Sequence, residues 1–192
     1  MKTMKLAVFL IAAASAGMTF AHTVQYGASL LGAAEAPPNA SPGTGTALIT
    51  IDYDLLTMDV NVNFSGLLGN TSAAHIHCCT AVAETGTAGV ATTTPSFPGF
   101  PSGVTSGSYH QVFDLTQASS YNATFITNNG GTVSGALNAL SAGLDAGKAY
   151  FNIHTSFAPG GEIRGFLAPV PIPAAAWLFG TAIMGLPLLR RR

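Results

Sequence analysis

Charge is scarce in this chain. Charged residues make up 8% of its 192 residues, and five of the seven basic ones sit at the tips: Lys2, Lys5, Arg190, Arg191 and Arg192. Between His22 and Val170 only Lys148 and Arg164 face eight acidic residues, a formal net of −6. An acidic domain without a basic stripe has nothing to hold a phosphate backbone, which argues against nucleic-acid binding. Cysteine is confined to one adjacent pair, Cys78 and Cys79. No Ser-His-Asp set and no paired-carboxylate signature accompanies the histidines, so hydrolytic catalysis has little support. What is abundant is Gly, Ala, Thr, Ser and Asn, the usual look of an exported β-rich protein. With both ends set aside, about 150 residues remain, enough for one domain with a proper core.

The ends read as targeting segments. Residues 1–21 form a signal peptide, with Lys2 and Lys5 ahead of a short apolar run and small residues at Thr19 and Ala21. The mature chain then begins at His22, whose free α-amine and ring would chelate copper. At the other end, residues 169–173 form a proline-rich linker. Residues 174–192 form an apolar run closed by three arginines, the pattern of a C-terminal transmembrane helix with a cytoplasmic basic end.

Between them the chain reads as strands. Alternation predicts strands at Val24–Leu31, Thr46–Asp52, Thr57–Phe64, Tyr109–Leu115, Ala149–Thr155 and Glu162–Leu167. Asp54-Leu55-Leu56 is the hairpin connection between the second and third. Val60, Val62, Phe64, Phe113, Phe151 and Ile153 are the expected core. The stretch from Thr80 to Gly107 is a long loop, with Phe97 and Phe100 expected to pin it to the domain. Thr116–Asn128 is ambiguous, with a short helix from a Thr116 cap as one reading. Thr132–Leu144 carries apolar residues at helical spacing.

Two motifs organise the middle. Ala149–Leu167 is a pair of strands around Pro159-Gly160-Gly161, with Phe151 and Ile153 on one face and Tyr150, Asn152 and His154 on the other. Ala73-Ala74-His75-Ile76-His77-Cys78-Cys79 echoes it. His75 and His77 lie two apart on a strand, so their rings leave one face with α-carbons roughly 6.5–7 Å apart. A metal with ring nitrogens at about 2.0–2.1 Å bridges such a gap, and His154 supplies a third ligand if the strands are neighbours. The competing reading has the histidines and Asn152 bonding loop backbones. Cys78 and Cys79 have three readings: a vicinal disulfide, which is favoured, paired thiols that would suit soft metals, or bonds to another molecule. Glu162 and Arg164 share a face and read as an ion pair or a loop clamp. Asn-x-Ser/Thr sites at Asn39, Asn70 and Asn122 would matter only in a glycosylating secretory pathway.

Three separated segments carry a resemblance: Leu31–Asn39 (LGAAEAPPN), Ala74–His77 (AHIH), and Asn152–Thr155 with Pro159–Gly165 (NIHT and PGGEIRG). In that order they resemble the CHRD (chordin-type) domain, found in many exported bacterial proteins. The likeness spans about Gln25 to Leu167, and Cys78-Cys79 stand where the family commonly has glycine. It implies an all-β antiparallel β-sandwich, immunoglobulin-like or superoxide-dismutase-like, with one or two short helices over residues 22–168, and no established enzymatic activity. The tail resembles a PEP-CTERM sorting signal, with Val-Pro-Ile-Pro in place of Pro-Glu-Pro. That implies an exosortase-type sorting enzyme as partner and an association with the membrane, and with exopolysaccharide or matrix. The favoured expectation is therefore an exported, envelope-anchored or surface-displayed domain with a non-enzymatic structural, adhesion or matrix role. The alternative is an exported copper- or zinc-binding protein using His75, His77, His154, Cys78 and Cys79. An oxidoreductase of superoxide-dismutase type needs more ligands than the sequence shows.

Overall fold

The computed structural model describes residues 22–171. The expected signal peptide and the expected transmembrane helix lie outside the described residues. Among the described residues, no helix is long and apolar enough to cross a membrane.

The fold is mostly β. Its strands are β1 (Thr23–Leu31), β2 (Thr44–Asp52), β3 (Thr57–Ser65), β4 (Thr71–His77), β5 (Gly107–Asp114), β6 (Tyr150–Thr155), β7 (Ile163–Phe166) and β8 (Ala168–Pro169). Two helices, α1 (Ala123–Asn128) and α2 (Val133–Asp145), lie between β5 and β6. The strand order is β4-β6-β7-β1-β2-β3-β5, with β8 also paired to β1 and every strand pairing antiparallel.

This corrects the expected sandwich of two separate sheets, because hydrogen bonding runs unbroken from β4 to β5. The join is β1. One of its edges pairs with β2 along all nine residues, and its other edge meets Arg164 of β7 at Leu31 and Ala168–Pro169 of β8 at Gly27 and Tyr26. β7 comes so close that a Cβ on Gly165 would collide with the Ser29 carbonyl, so only glycine fits. The pairing carries into the proline-rich segment, where the Val170 N–H donates to the Gln25 carbonyl.

The sheet curls around one apolar core. β3 reads as the alternation demands, with Met58, Val60, Val62 and Phe64 buried and Asn61 and Asn63 exposed. All six expected core residues are buried. Phe97 of the long loop enters the core and meets Phe113 of β5 at 5.1 Å and Phe151 of β6 at 5.9 Å. Thus β5 at one edge of the sheet and β6 beside the other edge share a single aromatic cluster, as a curled sheet requires. Phe100 stacks on Phe64, so both loop phenylalanines act as pins.

The helices differ from expectation in one respect. α2 is capped by Thr132, whose hydroxyl accepts from the Gly135 N–H. α1, however, starts at Ala123 under an Asn122 cap, not at Thr116. Thr116 is held instead by the Asp114 carboxylate, which accepts from both its N–H and its hydroxyl and turns the chain out of β5.

Phe151 is fully buried in this close-packed cluster. Phe151→Ala is expected to cost about 3–5 kcal/mol of stability. Urea titration reads it directly, and a loss under about 1 kcal/mol would place the residue outside the core.

Candidate metal centre

β4 and β6 are neighbours, in a register that sets His75 opposite Asn152, His77 opposite Tyr150 and Ala73 opposite His154. β7 continues the rows, with Arg164 beside Asn152 and Phe166 beside Tyr150. Because side chains alternate, Ala74, Ile76, Phe151 and Ile153 enter the core, while the histidines, Tyr150, Asn152 and Arg164 share the other face. That second face is covered too, so His75 and His77 are buried, and His154 is partly exposed.

The three rings converge. One ligand atom from each of His75, His77 and His154 lies within 4.8 Å of the others. Each ring is oriented by a backbone carbonyl. His75 Nε2 meets the Pro95 carbonyl at 2.6 Å, His77 Nδ1 meets Ala88 at 2.9 Å, and His154 Nδ1 meets Pro159 at 2.9 Å. A carbonyl only accepts, so the nitrogen facing it carries the proton. In the neutral ring the other nitrogen then holds a free lone pair: His75 Nδ1, His77 Nε2 and His154 Nε2. His75 Nδ1 is buried with no partner, and the two Nε2 atoms face each other at 3.4 Å. Second-shell carbonyls that fix tautomer and ring direction are the usual support of a histidine metal site.

The electrostatics favour the ligating form. Burial, then the neighbouring histidines and Arg164, bring the His77 pKa down to about 4, against the pull of the Ala88 carbonyl. Burial also lowers His75 and His154. Neutral rings need not release a proton before binding a metal. His77 further stacks on Tyr150 at 4.8 Å, and the Arg164 guanidinium lies 4.7 Å from the same ring.

The other expected ligands do not join them. Cys78 and Cys79 are bonded to each other, the pairing favoured from sequence, and neither is a thiolate in that state. Cys78 is buried with the core, away from the histidine face. The two sulfurs pack on α2 at Gly143, where a Cβ would collide with both. His22 lies against Tyr53 with the rings tilted, and His110 pairs with Asp59, both apart from the cluster.

Two residues read only as an ion pair or clamp prove to be buried anchors. Glu162 is fully buried, and its carboxylate accepts from Ser41 Oγ (2.6 Å), Thr155 Oγ1 (2.5 Å) and the N–H groups of Leu68 (2.6 Å) and Gly69 (3.1 Å). Burial alone would raise its pKa; these four bonds reverse that and hold it below the usual value. Arg164 donates to the carbonyls of Ala34 (2.6 Å) and Gly86 (3.0 Å) and lies 3.8 Å from Glu35. Burial pushes the Glu35 carboxyl up to about 7, against the pull of Arg164.

The two carboxyls therefore act on opposite sides of the pH curve. Glu162, with its pKa lowered, contributes stability above about 4.5 that is lost as pH falls through its folded value. Glu35, with its pKa raised, contributes stability below about 4.5 that is lost as pH rises through about 7. Chemical denaturation from pH 3 to 8 should show Glu162→Gln flattening the acid limb and Glu35→Gln the neutral limb. Unchanged slopes in both variants would refute the assignment.

Residues 26–167 match the profile of the CHRD domain family. No curated protein and no solved structure matches the chain.

Proposed function

The chain belongs to the CHRD domain family, and on that premise we propose that it is an exported, non-enzymatic domain that binds a copper or zinc ion through His75, His77 and His154. The observation that carries this is the convergence of the three rings, one nitrogen of each within 4.8 Å of the others, with every ring fixed by a loop carbonyl and His75 Nδ1 buried and otherwise unpartnered. Imidazole nitrogens suit both metals. The basic n-region, the apolar tail and the terminal arginines support export and anchoring, with the domain displayed outside the cytoplasm or released after sorting. An exosortase-type enzyme and a matrix polysaccharide are the partners that fit such a tail. In this setting the metal centre adds to the display role and replaces nothing in it.

Metal content of the purified protein and its thermal stability test the reading together. Copper or zinc at a hundredfold excess over its dissociation constant should stabilise the fold by about 2.7 kcal/mol. His75→Ala/His77→Ala should abolish the gain. Protein free of metal and indifferent to both ions would return the histidines to a structural role.

Export is tested separately. Leu55, at the exposed β2–β3 turn, is a suitable labelling position. Leu55→Cys should react with a membrane-impermeant maleimide in spheroplasts, and protection until lysis would reverse the topology.

A further inference from the structure

The same three histidines carry a sharper statement about which ion they take, one that rests on the reading above. Their ligand set holds no charge. Among the described residues, the convergent cluster contains the three histidines and no carboxylate or thiolate. The nearby acid, Glu35, already lies beside Arg164. That guanidinium sits over the Tyr150 ring on which His77 stacks, so the fixed charge nearest the cluster from β7 is positive. An ion placed between the rings must leave water for a buried, charge-neutral shell.

We propose that the His75–His77–His154 centre is selective for copper held as Cu(I), and that it disfavours Zn(II). The cost of burying an ion grows with the square of its charge, so a dication is penalised about fourfold more than a monocation in the same shell. Zn(II) also asks for four ligands, in structural sites most often including thiolates, and in catalytic ones a water or substrate on the open position. Here Cys78 and Cys79 are committed to each other. Two of the three rings are buried, which leaves only the His154 side open to a fourth ligand. Cu(I) is satisfied by two or three ligands and carries half the charge. The three neutral rings alone complete a shell for the monocation, whereas Zn(II) would still have to draw a water onto the open side at His154.

Ala73 offers a way to reverse the preference. It lies on the His75 face of β4, pairs across to His154, and is partly exposed. Ala73→Asp adds an anionic oxygen on the open side, and Ala73→Asn adds the same shape without charge.

The test is anaerobic competition on the full-length protein, with Cu(I) titrated against a chromophoric Cu(I) chelator and Zn(II) against a chromophoric zinc chelator. Cu(I) should bind at least about a hundredfold more tightly than Zn(II), a difference of about 2.7 kcal/mol. Ala73→Asp should tighten Zn(II) by about tenfold or more, Ala73→Asn should not, and His75→Ala should weaken Cu(I). Zn(II) binding as tightly as Cu(I), or gaining nothing from the aspartate, overturns the charge argument and leaves the metal-binding function standing. Absence of binding by either ion overturns both.

Discussion

β6 is buried on both faces, and the rest of the structure follows from that constraint. Phe151 and Ile153 enter the apolar core on one side, and Tyr150 and Asn152 are covered on the other. A strand with one apolar and one polar face is ordinarily half solvated. Here the polar face has lost its water, so its donors and acceptors need partners from the protein or pay a desolvation penalty of about 1–3 kcal/mol each. The cover that supplies them is drawn from three stretches, two of them far along the chain from β6. The long loop brings the carbonyls of Gly86, Ala88 and Pro95, the turn after β6 brings Pro159, and the segment after β1 brings Ala34.

That cover has to be held down, and this explains the two charged residues placed around Ile163. Glu162 ties Ser41, Leu68, Gly69 and Thr155 to one carboxylate, joining the β1–β2 and β3–β4 connections to the end of β6. Hydrogen bonds to a charged group contribute roughly 1.5–3 kcal/mol each, so this one side chain outweighs any exposed ion pair. Arg164 works with carbonyls more than with its acid. Its contacts to Ala34 and Gly86 are hydrogen bonds at 2.6 and 3.0 Å, while Glu35 lies at 3.8 Å. The two buried charges thus fix several loops at once, Glu162 those at Ser41, Leu68 and Gly69, and Arg164 those at Ala34 and Gly86.

Much of this was legible in the sequence because alternation encodes it. The period-two pattern of β3, β4 and β6 fixes which residues face the core, and in β4 and β6 it places His75, His77 and His154 on the opposite face. Two cysteines standing side by side make the vicinal disulfide the favoured of three readings. Other features were hidden for physical reasons. Whether the strands close into two sheets or one depends on a few pairings between β1 and the C-terminal residues, and Ala168–Pro169 carries no strand signature. The buried state of Glu162 and Arg164 depends on loops that arrive from far along the chain. The second shell was least visible of all, because its working groups are main-chain carbonyls of Ala88, Pro95 and Pro159, and a carbonyl has no letter of its own.

The choice between a structural and a ligating role for the histidines turns on this second shell. If the carbonyl bonds were the whole purpose of the rings, each histidine would spend one nitrogen and leave the other to be satisfied elsewhere. His75 Nδ1 has no partner, and His77 Nε2 faces His154 Nε2 at 3.4 Å, lone pair against lone pair. A proton shared between the last two would relieve that pair, but burial lowers the pKa of both rings and leaves them neutral near pH 7. It would also do nothing for His75. On the proposed reading, a single cation among the three rings would relieve the orphan and the repulsion together. Three rings, each with a proton turned to a loop carbonyl, leave His75 Nδ1 and the facing Nε2 atoms of His77 and His154 unsatisfied by the fold, and the proposed metal centre rests on that.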